Sequence, residues 1–133
     1  MMITGKILIV DDEPSIRQFF DDVLTKKGYE VMLAQNAREA LKALEKDDIN
    51  IIFLDLKLFG VNGIELCRQI KALKPLSIIY AITGWAALFE IKECRNAGFD
   101  DCFMKPVSVD RIYKAANDAF EKLDRWTNRY GKA

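Results

Sequence analysis

Short apolar runs alternate with amphipathic stretches from one end of the chain to the other. The runs are Ile7 to Val10, Val31 to Ala34, Ile51 to Leu54, Ile78 to Ile82 and the weaker Cys102 to Met104. Continuous apolar runs of this length suit parallel strands covered on both faces. The intervening stretches follow helical spacing instead. Ile16, Phe19, Phe20, Val23 and Leu24 form one stripe, and Gly28 supplies its stop. Asn36 is placed to cap a helix whose inner face is Ala37, Ala40, Leu41 and Leu44. Leu66, Ile70 and Leu73 form a third stripe, ended by Pro75. Leu88, Ile91 and Cys94 mark a fourth, closed by Gly98. Ile112, Ala116, Ala119 and Leu123 make the fifth. Five strands alternating with five helices predict an α/β fold, a doubly wound parallel sheet with right-handed crossovers and helices on both faces.

The chain has 133 residues, enough for one domain with a real core. Twenty basic and twenty acidic residues cancel, so no global field attracts nucleic acid or an anionic membrane. No apolar run approaches the ~18 residues of a membrane span. The first residues run straight into the first apolar segment, so no signal peptide is expected. Cys67, Cys94 and Cys102 are odd in number and far apart in sequence. They read as free thiols in a reducing cytoplasm. The chain has no histidine, which excludes Ser-His-Asp and Cys-His catalysis and most zinc sites.

Chemistry-bearing residues follow four of the five apolar runs. The first ends in Asp11-Asp12-Glu13, the third in Asp55, the fourth in Thr83-Gly84 and the fifth in Lys105-Pro106. In a parallel sheet these positions share the carboxyl edge, where open α/β sheets place their ligand sites. Three carboxylates, a hydroxyl and an ammonium are therefore expected in one cleft. Crowded carboxylates repel, and a divalent cation removes the conflict. Oxygen donors without His or Cys favour a hard ion such as Mg²⁺. A carboxylate beside Mg²⁺ and a lysine can act as a nucleophile toward phosphorus.

The segments ILIVDDE, IIFLDLKLFGVNGIEL, IIYAITG and AGFDDCFMKP resemble the signature blocks of the response-regulator receiver family, and the resemblance covers about residues 5–123. It implies a flavodoxin-like sheet of order 2-1-3-4-5. It implies that Asp55 is the phosphoacceptor, and that Asp12, Asp55 and the backbone carbonyl of Lys57 bind Mg²⁺, with Asp11 helping to fix the ion. Thr83 would bond a phosphoryl oxygen and Lys105 would pair with Asp55 or its phosphate. The Lys105-Pro106 bond is expected to be cis. The phosphodonor would be a sensor histidine kinase or histidine phosphotransfer protein, and the output a downstream protein partner, with no direct nucleic acid or membrane contact. The role is that of a signalling phosphoacceptor rather than an enzyme. A haloacid-dehalogenase-type phosphatase would want a second Asp two residues after the nucleophile, where this chain has Lys57.

Three positions depart from the family pattern. Phe59 stands where proline is usual, Cys102 where Tyr or Phe is usual, and Trp85 is bulky where relatives carry something smaller. The Cys102 change bears on the conformational switch rather than on phosphorylation, and a pseudo-receiver that only binds a partner is the competing reading. Asn62-Gly63 reads as a turn. Beyond the receiver at 5–123, residues 124–133 read as a helix extension or linker. Trp126 and Tyr130 continue the helical spacing of the fifth stripe, which leaves room for a homodimer contact.

Overall fold

The computed structural model of the chain describes residues 5–58, 61–84 and 88–129. Twelve elements follow in order: β1 (Lys6–Val10), α1 (Pro14–Lys26), β2 (Glu30–Ala34), α2 (Ala37–Lys46), β3 (Ile51–Asp55), β4 (Lys57–Leu58), β5 (Val61–Asn62), α3 (Gly63–Leu73), β6 (Ile78–Thr83), α4 (Leu88–Ala97), β7 (Asp101–Met104) and α5 (Val109–Arg129). The main sheet is parallel, in the order β2-β1-β3-β6-β7. With the two-residue antiparallel pair β4–β5 set aside, this is the 2-1-3-4-5 order the resemblance implied. Phe59, Trp85 and Tyr130 lie outside the described residues.

Strand alternation divides the core in two. Ile7, Ile9, Ile51, Phe53, Ile78, Tyr80 and Ile82 face α1 and α5, meeting Phe20, Leu24, Ile112, Ala116 and Ala119. Leu8, Val10, Ile52, Leu54, Ile79 and Ala81 face α2, α3 and α4, meeting Ala40, Leu44, Leu66, Cys67, Ile70 and Cys94. β1, β3 and β6 are buried on both faces, which explains their unbroken apolar runs, whereas the edge strands β2 and β7 are partly exposed. An aromatic chain ties the first layer together. Phe20–Phe53, Phe53–Tyr80 and Tyr80–Phe103 have centroid separations of 5.3, 5.2 and 5.5 Å. The buried Tyr80 hydroxyl donates to the Ala115 carbonyl at 2.9 Å.

Local signals behave as their chemistry requires. Asn36 caps α2, its side chain accepting from the Glu39 N–H at 2.9 Å. Gly28 and Gly98 adopt φ of 91° and 109°, the left-handed region that closes helices. Three stripes need correction. Phe19, on α1, is 38% exposed and meets its neighbour Phe20 edge-on. Leu73 is 62% exposed because it is the last residue of α3. Ile91 is 42% exposed because the buried face of α4 centres on Cys94 and Ala97, and 100° per residue turns Ile91 away from it. The fifth helix runs past Leu123, and Trp126 on its continuation is half exposed. Among the described residues no helix is long and apolar enough to cross a membrane.

Candidate phosphoacceptor and cation site

Strand register brings the candidate residues to one edge. Val10 pairs with Leu54 and Ala34, Asp55 with Ile82, and Thr83 with Met104. Asp11, Asp55, Thr83 and Lys105 therefore stand at the carboxyl ends of four adjacent strands. Backbone hydrogen bonds lock this edge. Asp11 N–H donates to Ala34 O at 3.1 Å, Leu56 N–H to Ile82 O at 3.0 Å, and Lys105 N–H to Thr83 O at 2.8 Å. The Lys105–Pro106 peptide is cis, as the resemblance implied.

The side chains converge as well. Oxygens of Asp11, Asp12 and Asp55 all lie within 4.8 Å of one another. Asp11 is fully buried, Asp55 is 4% exposed and Asp12 is half-buried. Lys105 Nζ stands 3.0 Å from Asp11 Oδ2, 3.3 Å from Asp55 Oδ2 and 3.5 Å from Glu13 Oε1. Asp11 Oδ1 accepts from the Glu13 N–H at 2.9 Å, and Asp55 Oδ1 from the Lys57 N–H at 3.1 Å. Thr83 is fully buried at the end of β6.

Burial pushes the Asp55 carboxyl above the usual aspartate range. The Lys57 N–H opposes this, the Asp11 charge adds to it, and Lys105 works against it. Burial alone would pull the Lys105 ammonium down, but the carboxylates of Asp11 and Asp55 outweigh that and raise it. One ammonium thus serves three carboxylates and leaves net negative charge in a buried place. The ion pair to Asp11 Oδ2 is close but lacks hydrogen-bond alignment, so this buried oxygen has no directed donor. An all-oxygen cluster with surplus negative charge and an undersatisfied buried oxygen fits a hard divalent cation.

Sequence reasoning missed three contributors. Glu13, named at the end of the first apolar run but given no role there, carries an exposed carboxylate that reaches Lys105, while its backbone occupies the N-cap of α1 without a side-chain cap bond. Asn62-Gly63 reads as a turn. In the structure Asn62 caps α3, accepting from the Ile64 N–H at 2.8 Å, and Gly63 is the first helical residue. A glycine directly after a capping Asn was the available signal. Arg17, on the polar side of a helical stripe, carried no signal, and its Nη1 donates to the Asp11 carbonyl at 2.8 Å.

With this geometry in place, comparison with known proteins identifies the class. The profile of the response regulator receiver domain matches residues 7–117, and the chain belongs to that family. It is a receiver domain of two-component response regulators. The chain is 33% identical to sporulation initiation phosphotransferase F of Bacillus subtilis over 114 residues, covering 86% of this chain and 92% of that protein. It is 27% identical to transcriptional regulatory protein GlrR of Escherichia coli over 125 residues, but spans only 28% of that protein's length. A solved CheY-like receiver domain protein from Methanospirillum hungatei superposes with a TM-score of 0.88 at 31% identity, covering 92% of this chain and 98% of that one. Receiver domains are signalling phosphoacceptors that work with histidine kinases and output domains, and the family has an acidic pocket of the kind seen here.

Proposed function

We propose that the chain takes a phosphoryl group from a phosphohistidine of a sensor kinase or phosphotransfer protein onto Asp55, and that this changes its affinity for a downstream partner. The convergence of Asp11, Asp12, Asp55 and Lys105 on one buried point carries this reading. An Asp55 carboxylate oxygen forms the new O–P bond as the donor's P–N bond breaks, and the imidazole leaves with the electron pair and takes up a proton. Lys105 neutralises a phosphoryl oxygen, and the Thr83 hydroxyl is the proposed donor to another. The Lys57 N–H holds the Asp55 carboxylate in place before transfer.

Asp11, Asp12, Asp55 and the Lys57 carbonyl would hold Mg²⁺. The ion would supply charge neutralisation for the equatorial phosphoryl oxygens. The chain assists its own phosphorylation and dephosphorylation but turns over no separate substrate. The receiver occupies 5–123, with 124–133 as a helical extension or linker that could serve a homodimer. Free thiols at Cys67, Cys94 and Cys102 support a reducing, cytoplasmic setting. Intact mass after incubation with Mg²⁺ and acetyl phosphate tests the reading. One acid-labile phosphoryl group is expected on the parent and none on Asp55→Asn. Equal labelling of the variant overturns the assignment.

A further inference from the structure

Arg17 stands in the second turn of α1, half-buried beside the acidic cluster. A guanidinium there would be expected to seek one of the carboxylates. Instead its Nη1 donates to the backbone carbonyl of Asp11 at 2.8 Å. That carbonyl belongs to the first residue beyond β1, where the strand ladder ends. The opposite side of the same residue is already fixed. Asp11 N–H donates to Ala34 O, and Asp11 Oδ1 accepts from the Glu13 N–H. The Arg17 bond therefore restrains the tilt of the Asp11–Asp12 peptide plane, from which the Asp12 side chain projects.

The strut is anchored at its base. The Arg17 backbone N–H donates to Glu13 O at 3.1 Å, tying the residue to the start of α1.

We propose that Arg17 is a positioning residue for the cation site, clamping the Asp11–Asp12 peptide so that both carboxylates face Asp55. The inference rests on the Mg²⁺ site proposed above. It makes a prediction of sign. As a bare positive charge, Arg17 repels a nearby cation, and its removal would strengthen Mg²⁺ binding. As a clamp, its removal weakens binding, and outer-shell partners of metal ligands typically cost about 10–100-fold in affinity when mutated.

Calorimetric titration of Mg²⁺ into the full chain decides between these, with Asp12→Asn as the control for a damaged site and metal-free melting curves as the control for folding. Arg17→Ala and Arg17→Met are each expected to lose about 10-fold in Mg²⁺ affinity. Met keeps the apolar volume of the stem without the donor, so it reads the same bond if Ala fails to fold. Arg17→Lys, which keeps a donor and the charge, should recover most of the loss. Binding by the Ala or Met variant that equals or exceeds the parent overturns the positioning role. Absence of binding by the parent itself overturns the Mg²⁺ site, and the clamp with it.

Discussion

Replacing Gly63 by alanine sets two expectations of opposite sign against each other. Gly63 opens α3, and helix propensity alone would credit Ala with up to about 1 kcal/mol over Gly. The structure leaves no room for the methyl group. An added Cβ would lie 2.6 Å from Asp55 O, 2.7 Å from Leu56 Cα and 2.8 Å from Leu56 O. Carbon contacts are favourable only near ~3.5–4.0 Å, so each overlap is of order 1 Å. All three atoms are backbone, and that backbone is pinned. Leu56 N–H donates to Ile82 O, Gly63 N–H donates to Leu56 O at 2.9 Å, and Asp55 pairs with Ile82 inside the sheet. Overpacking costs about 1–3 kcal/mol, and an unyielding backbone puts this site at the upper end. After the propensity gain, a net loss of about 2 kcal/mol is expected, or a melting temperature lower by roughly 6–10 °C for a domain of this size. The strain lands on Asp55 and Leu56, so phosphorylation from acetyl phosphate should slow as well. Urea unfolding and thermal melts of Gly63→Ala measure the first, and labelling rates the second. A variant as stable as the parent, or more so, would refute the steric reasoning.

Three further outcomes are expected. The raised Asp55 carboxyl contributes stability that is complete below its unfolded value near 3.8 and lost as pH rises through its folded value, so at neutral pH the carboxylate is a liability. Asp55→Asn should therefore melt above the parent in chelator, while added Mg²⁺ stabilises the parent and not the variant; a variant that melts lower in chelator counts against this. Burial pushes the Cys67 thiol from 9.0 up to about 12. Stability should fall between those pH values by at most about 1.4 kcal/mol per pH unit, and Cys67→Ala should flatten that slope in urea titrations at stepped pH. Finally, Cys102 is half-buried under α4, and a thiol cannot fill the space of the ring that the family resemblance leads one to expect there. Beryllofluoride should change hydrogen exchange from Thr83 to Leu88 more than in α5, and an equal response in α5 would show that the missing ring does not matter.

The central strands were legible because β1, β3 and β6 are buried on both faces, and burial writes itself as an unbroken apolar run. The edge strand β7 was weaker because half of its surface meets water, whereas β2 reads as a full apolar run although Leu33 is 40% exposed. The β4–β5 pair had no signature, since two residues per strand are too few to carry a period. The acidic and basic site residues were legible for a topological reason. Each follows an apolar run, and a parallel sheet sends every such position to one edge. The supports of the site were not. Arg17 acts on a backbone oxygen, and Gly63 acts by having no side chain, so neither leaves a pattern of residue types. Their roles depend on distances that only the folded chain fixes.

The most direct test locates the phosphoryl group itself. Borohydride reduces an acyl phosphate to an alcohol, so a phosphorylated aspartate becomes homoserine and can be found by peptide mass spectrometry. After incubation with Mg²⁺ and acetyl phosphate, homoserine is expected at position 55 and at no other aspartate. Homoserine at Asp11 or Asp12, or none at position 55 in a sample that carries the phosphoryl mass, would contradict the assignment of Asp55 as the acceptor.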